Sequence, residues 1–264
     1  MMKIVFAGAF ALSFAIAPLS AQTLAGAAEI PLSGHISTDM ASRLHAALQD
    51  GKPHTVRINS SGGEDAPALA IAADIARTRS ALVVDGICAG PCANYLLMAA
   101  ARRTVQPSAL VIFTASASSR LAMVPQARRK EVSGLYESSA RQERQLLQDR
   151  HVSAALLLEP QLGLGTSCYS LTSRDTAGKA YINYQAQFVG WTPPRAWLAR
   201  AGIPISGFWP DTEAQFQTAL QKAIPGGARG GVIYAAAKSP GAETALLRRL
   251  GAMPECDSGL PKKK

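Results

Sequence analysis

Residues 56–63 read VRINSSGG, an apolar run that ends in a tight glycine turn. An alanine-rich helical pattern follows over residues 65–77, and a second apolar run, ALVVDGI, fills residues 81–87. After a CAGPC element come an apolar helical pattern and a third strand-like run, LVIF, at residues 110–113. Strands and helices that alternate at this spacing predict right-handed crossovers on a mostly parallel sheet, and therefore an α/β fold.

Two strand-to-helix junctions in this unit form the candidate functional site. One is the glycine turn at residues 61–63, and the other is residues 90–92 within the CAGPC element. In open α/β sheets, ligands bind where strands end and helices begin. We therefore look for chemistry at these two junctions first.

The sequence pattern divides the chain into three regions after its N-terminus. Residues 29–122 form the core, and 264 residues at 48% hydrophobic content are enough to bury one. Residues 123–160 are helical and strongly charged, which predicts a projecting arm with a solvated face. Residues 161–264 are predicted to form an α-rich extension that packs on the core and is tied to it by a disulfide.

The N-terminus has the pattern of an export signal. Lys3 precedes an apolar run over residues 4–17 that is short for a bilayer span. The cleavage region places the signal at residues 1–21, and small residues further on give an alternative end at residue 27. An uncleaved membrane anchor is the competing interpretation. Since no later stretch is long and apolar enough to span a bilayer, we expect an exported protein, periplasmic or secreted, from a bacterium.

Four cysteines follow the predicted signal, and an even number in an exported protein favours disulfides. Four cysteines can form two disulfides in three different ways. We favour Cys88–Cys92, which joins a strand end to the first helical turn, and Cys168–Cys256, which ties the C-terminal tail to the body.

Composition argues against several classes of partner and cofactor. The net charge is +9, but no platform of aromatic and arginine residues supports binding to nucleic acid. The GLG sequence at residues 163–165 lacks a preceding strand and a third glycine, so no nucleotide cofactor is predicted. The four histidines are scattered and no CxxC pair occurs, so no metal site is predicted either.

Several motifs together resemble the ClpP/crotonase superfamily. They are GHI at residues 34–36, INSSGG at 58–63, VDG at 84–86 and YLLMAA at 95–100. The chain is most similar to exported bacterial ClpP-like proteins, in which a CASAC element stands where this chain has CAGPC. The match covers roughly residues 30–115, and a weaker similarity continues through WTPP at 191–194 and GI at 202–203 to WP at 209–210. The resemblance implies a spiral of ββα units with a mostly parallel sheet.

Carried over residue by residue, the resemblance implies a peptidase site that has lost its chemistry. The nucleophile position falls on Gly90, which has no side chain, and the base position falls on Phe113, which cannot take a proton. One oxyanion donor falls on Pro91, which has no N–H. Only the donor at Gly62 or Gly63 remains. The resemblance implies a residual cleft formed by Ser61, Gly62, Gly63, Gly90 and Pro91.

Two functions follow, and the sequence leaves both open. The first is a catalytically inactive pseudo-peptidase that binds a protein or peptide, and that forms homo-oligomers as the fold commonly does. The second is a peptidase-like hydrolase that uses Cys92 as a thiol nucleophile, since a thiolate at a helix N-terminus has a lowered pKa. The second lacks a histidine close to Cys92 in the sequence.

Overall fold

The computed structural model describes residues 28–124, 129–164, 166–174, 178, 180–188, 190–224 and 231–250. Both ends of the predicted signal, residues 21 and 27, lie outside these residues, as does Cys256. In the part of the chain that is described, no helix is long and apolar enough to cross a membrane.

A parallel sheet forms the centre of the fold. Its strands are β1 (Glu29–Ser33), β2 (Thr55–Ser60), β3 (Ala81–Ala89), β4 (Arg102–Val105), β5 (Leu110–Ile112) and β9 (Ser206–Gly207). Their order in the sheet is β1-β2-β3-β4-β9, and β5 also pairs with β3. Every pairing in this sheet is parallel, so the predicted α/β fold with a mostly parallel sheet is confirmed.

The long strand β3 pairs with two different strands along one of its edges. Its first half, Ala81 to Val84, pairs with β4, and its end, Ile87 to Ala89, pairs with β5. Its other edge pairs with β2. The sheet therefore changes neighbours halfway along β3, just before the chain enters the CAGPC element.

Helical segments follow the strands as the alternating pattern predicts. They are α1 (Thr38–Ala47), α2 (Asp65–Thr78), a π-helical segment (Cys92–Leu96) that continues into α3 (Leu97–Ala99), and α4 (Ala117–Met123). One face of the sheet packs in the core with these helices, through residues such as Ile58 and Val84. On alternate positions of the same strands, Asn59 and Asp85 are exposed.

The strand β4 is absent from the prediction because it carries two arginines. Arg103 is buried, and its guanidinium donates to the carbonyl oxygens of Leu97 (2.6 Å) and Met98 (2.8 Å) at the end of α3. Burial, with a smaller contribution from nearby Arg150, lowers the pKa of Arg103 to about 10. A search for apolar runs does not find a strand in which a buried position is occupied by a charged residue.

The charged region after the core forms α5 (Arg129–Asp149) and α6 (Ala154–Gln161). In the second half of α5, Ala140, Glu143 and Leu147 are buried against the rest of the molecule. Arg141 and Arg144 lie exposed between them. This half of the helix thus has one packed face and one solvated face.

The C-terminal region contains both strands and helices. Strands β6 (Thr166–Arg174) and β7 (Ala180–Phe188) form an antiparallel pair, and β8 (Gly190–Thr192) pairs in parallel with β10 (Val232–Tyr234). The helices are α7 (Arg195–Arg200), α8 (Glu213–Ala223) and α9 (Pro240–Leu250). Trp191 and Trp197 are buried in the same apolar cluster as the sheet, and Phe216 of α8 packs against residues of β5. The region therefore packs on the core.

Replacing Gly63 by alanine should destabilise the protein strongly. An added Cβ would lie 2.3 Å from the backbone oxygen of Ile36, where backbone atoms cannot move aside easily. We expect a loss of at least about 3 kcal/mol in the free energy of unfolding, measured by denaturant titration. The control is Gly51→Ala, where φ is +69° but no atom lies within 4 Å, and where only the backbone cost of about 1–2 kcal/mol applies. Equal losses in the two variants would show that the close approach at Gly63 is unimportant.

Candidate functional site

The two predicted junctions meet in the folded chain. Ser60 at the end of β2 pairs with Cys88 near the end of β3. A Cβ added to Gly62 would lie 3.3 Å from the Ala89 oxygen and 3.6 Å from the Pro91 Cδ atom. The glycine turn and the CAGPC element are thus in direct contact, as expected for the carboxyl ends of neighbouring parallel strands.

Hydrogen bonds fix the glycine turn and occupy one of its two predicted donors. The Gly62 N–H donates to the Ser60 hydroxyl at 3.2 Å, and the Ile36 N–H donates to the Gly62 oxygen at 2.8 Å. The Glu64 N–H donates to the Ile36 oxygen at 3.0 Å, so this bridge does not use the N–H of Gly63. Ser61 is exposed. Of the two positions, Gly63 is the better remaining candidate for an oxyanion donor.

Gly90 and Pro91, which we call the elbow, turn the chain sharply from β3 into the π-helical segment. Gly90 has φ of +54°, its N–H donates to the Ile112 oxygen at 2.9 Å, and its oxygen accepts from the Asn94 N–H at 2.8 Å. A sharp strand-to-helix turn is the backbone arrangement that presents a nucleophile in many hydrolases. Here the residue at the turn is glycine, so the geometry is present without a reactive side chain.

Cys92, the alternative nucleophile, is bonded to Cys88. Both cysteines are fully buried, and their Cα atoms are 5.3 Å apart. The predicted Cys88–Cys92 disulfide is therefore confirmed. Cys168 lies in β6 opposite Ala186, and its predicted partner Cys256 is outside the described residues, so that second pairing stays a prediction.

Phe113, which the resemblance places at the base position, is part of the apolar core. It is fully buried and forms an isolated antiparallel bridge with Trp191, and the centroids of the two rings lie 6.2 Å apart.

Two histidines form hydrogen bonds with aspartates. The Nδ1 atom of His45 is 3.0 Å from Asp74, and the Nε2 atom of His54 is 3.0 Å from Asp50. Neither hydrogen bond places an imidazole next to Cys92, where a thiol nucleophile would need a base.

A segment that the sequence analysis missed lies beside the elbow. We call residues 114–118 the tethered segment. The Thr114 hydroxyl oxygen would be 3.3 Å from a Cβ added to Gly90, so the segment faces Gly90 of the elbow. Hydrogen bonds from five different side chains reach its backbone. Asn94 donates to the Thr114 oxygen (3.0 Å), Arg120 donates to the Ala115 oxygen (3.0 Å), and Gln161, Tyr95 and Glu143 accept from the N–H groups of Ser116 (3.0 Å), Ala117 (3.1 Å) and Ser118 (2.8 Å).

Burial changes the acid–base properties of the groups that hold the tethered segment. It raises the pKa of Glu143, against the opposing effects of hydrogen bonding by Ser116 and Ser118 and of the charge on Arg120. It also raises the pKa of Tyr95, helped by the nearby Glu143, and lowers that of Arg120. Arg120 forms an ion pair with Asp65 at the start of α2, which links α4 to the helix that follows the glycine turn.

Most of these tethers cannot be recognised from the sequence. Glu143 and Gln161 look like ordinary polar residues of a charged helical region, and only the folded chain brings them to Ser116 and Ser118. Asn94, which donates to the Thr114 oxygen, is 3% exposed. Among the described residues, no group of three or more histidine, cysteine, aspartate or glutamate side chains is arranged to hold a metal ion.

Comparison of the sequence with protein families and with curated proteins identifies no relative. No protein-family model matches the chain, and no curated protein sequence is significantly similar to it.

Removing the Tyr95 hydroxyl should destabilise the protein by leaving the Ala117 N–H without its acceptor. In Tyr95→Phe we expect a loss of about 1–3 kcal/mol in the free energy of unfolding, because the donor stays buried. The matched control is Tyr234→Phe, since that hydroxyl is only half-buried and donates to the Pro210 oxygen. A smaller loss is expected there, and thermal or denaturant unfolding measures both. A loss in Tyr95→Phe no larger than in the control contradicts the role given to this tether.

Proposed function

We propose that this chain is an exported pseudo-peptidase of ClpP/crotonase type, which binds an extended peptide or protein segment beside the elbow and does not hydrolyse it. The observation that carries the proposal is Gly90, which occupies a nucleophile-type turn with φ of +54° and has no side chain. The remaining support comes from the sheet, the surrounding residues and the sequence motifs.

The sheet supports the finer fold assignment. Crossovers connect parallel strands, and β3 pairs first with β4 and then with β5 along the same edge. A change of neighbours of this kind is compatible with a spiral of ββα units. Together with the GHI, INSSGG and CAGPC motifs, it favours the ClpP/crotonase-type spiral over other parallel α/β folds.

Three losses of function coincide at one place, which favours binding over catalysis. The elbow offers no nucleophile at Gly90 and no N–H at Pro91, and the base position is filled by the buried ring of Phe113. Acyl transfer needs both an activated nucleophile and donors aimed at the developing oxyanion. The turn and the tethered segment are nevertheless held by many hydrogen bonds, which is the preorganisation that a binding site requires.

A thiol hydrolase is the second candidate, and one observation favours it. Cys92 stands at the start of a helical segment only two residues beyond Gly90. Reduction of its bond to Cys88 would release a thiol there. Such an enzyme would be active only under reducing conditions, which distinguishes it from the pseudo-peptidase.

The first test is the intact mass of the protein purified from the cell envelope, alkylated with iodoacetamide before and after reduction. We expect a chain that starts after residue 21 or 27, with Cys88 and Cys92 alkylated only after reduction. Rapid alkylation of Cys92 alone at neutral pH, without reductant, would favour the thiol hydrolase. A Cys92→Ser variant is then the control for peptide hydrolysis.

Binding is tested with an array of unstructured peptides and a variant that obstructs the site. Ser61 is exposed at the glycine turn, so Ser61→Trp should weaken peptide binding by about tenfold or more while the fold is kept. Gln49→Trp is the control, because Gln49 is exposed after α1 and precedes the start of β2, whereas the glycine turn follows the end of that strand. Wild-type protein should release no peptide fragments, with or without reductant. Equal binding by both variants would place the peptide elsewhere on the molecule.

A further inference from the structure

One group among the tethers differs from the others because it is a carboxyl group that is almost completely buried. Glu143 is 1% exposed, and its Oε2 atom accepts the Ser118 N–H at 2.8 Å. The Ser116 and Ser118 hydroxyls interact with the carboxyl group and lower its pKa, but no donor makes a hydrogen bond of ordinary geometry to its Oε1 atom. A buried carboxylate with an unpartnered oxygen is costly, whereas the neutral acid can occupy the same position at much lower cost. The tether at Ser118 therefore depends on a group that can change its charge.

The charged and titratable groups around Glu143 come from several elements. Arg120 of α4 favours the ionised carboxylate, but Arg120 is itself paired with Asp65 of α2. Tyr95 of the π-helical segment interacts electrostatically with Glu143, and α6 contributes the neutral Gln161 next to Ser116. On α5 itself, the Tyr136 ring faces Arg120 at 5.2 Å. Among the groups that the structure describes, Arg120 is the cation that favours ionisation of Glu143, and the effect of burial on the pKa of Glu143 is larger than that of Arg120.

We propose that Glu143 is a pH-dependent anchor of the tethered segment, which holds residues 114–118 against α5 while its carboxyl group is neutral and releases them when it ionises. Ionisation inside the packed interface leaves a negative charge that water solvates far better. Separation of the tethered segment from the second half of α5 admits that water. Because the segment faces Gly90, the change is transmitted to the elbow, and this inference holds whichever ligand binds there.

The direction of the pH dependence follows from the raised pKa of Glu143. The closed state binds the proton more tightly than the open state, so closure is fully favoured below the ordinary pKa of a glutamate. As pH rises above that value, the closed state loses its advantage until the raised pKa is passed. One proton gives a change in the opening equilibrium of at most about tenfold per pH unit.

Amide hydrogen exchange of the full mature chain between pH 5 and 8, corrected for the intrinsic exchange rate, tests this proposal. In the wild type, opening at Ser116, Ala117 and Ser118 should increase with pH and then level off. In Glu143→Gln, whose amide imitates the neutral acid, opening should stay low across the range. A wild type without pH dependence at these amides, or a variant that keeps it, overturns the proposal.

Glu243→Gln is the matched control. Glu243 is also buried, and burial raises its pKa to about 7, but it accepts from the Ala237 N–H before α9. This variant should change how overall stability depends on pH without affecting exchange at residues 116–118. Should Glu143→Gln fail to fold, carboxyl ¹³C NMR of the wild type provides the second test. A Glu143 signal that titrates at or below the ordinary glutamate pKa rejects the anchor.

Discussion

The backbone pairing of β3 is the constraint on which the rest of this structure depends. One edge of the strand pairs with β2 and the other pairs first with β4 and then with β5. These pairings bring the ends of β2, β3 and β5 together, so that the glycine turn, the elbow and the tethered segment become neighbours. The Cys88–Cys92 disulfide then joins the end of β3 to the first helical turn that follows it.

The site formed at this place combines an unreactive centre with carefully held surroundings. Each hydrogen bond to the tethered segment contributes only about 0.5–1.5 kcal/mol net, but a buried group left without its partner costs more. Side chains from four different parts of the chain, α5, α6, α4 and the π-helical segment, supply these bonds. The conformation of the segment is therefore a property of the whole domain rather than of its own sequence.

This combination is why we propose binding rather than peptide hydrolysis as the function of the site. A peptidase needs a reactive side chain at the elbow, whereas a binding protein needs only a backbone that is held in one conformation. Gly90 lacks the first requirement, and the tethers fix a segment of which Thr114 and Ser118 are partly exposed. The buried Glu143 adds a titratable group that holds the Ser118 N–H of this segment.

The sequence by itself determined the alternation of strands and helices, the two junctions, and the absence of reactive groups at Gly90, Pro91 and Phe113. It could do so because periodicity, glycine turns and missing functional groups are local properties. The Cys88–Cys92 pair was also predictable, since the two cysteines lie four residues apart at a strand end.

Only the tertiary structure decided that β4 belongs to the sheet, with Arg103 buried, and that Glu143 and Gln161 hold the segment beside the elbow. The physical reason is that a polar side chain enters a core only when a distant part of the chain supplies its partner. Glu143 contacts Ser118 across 25 residues, and Gln161 contacts Ser116 across 45. No pattern within a short window of sequence contains such a pair.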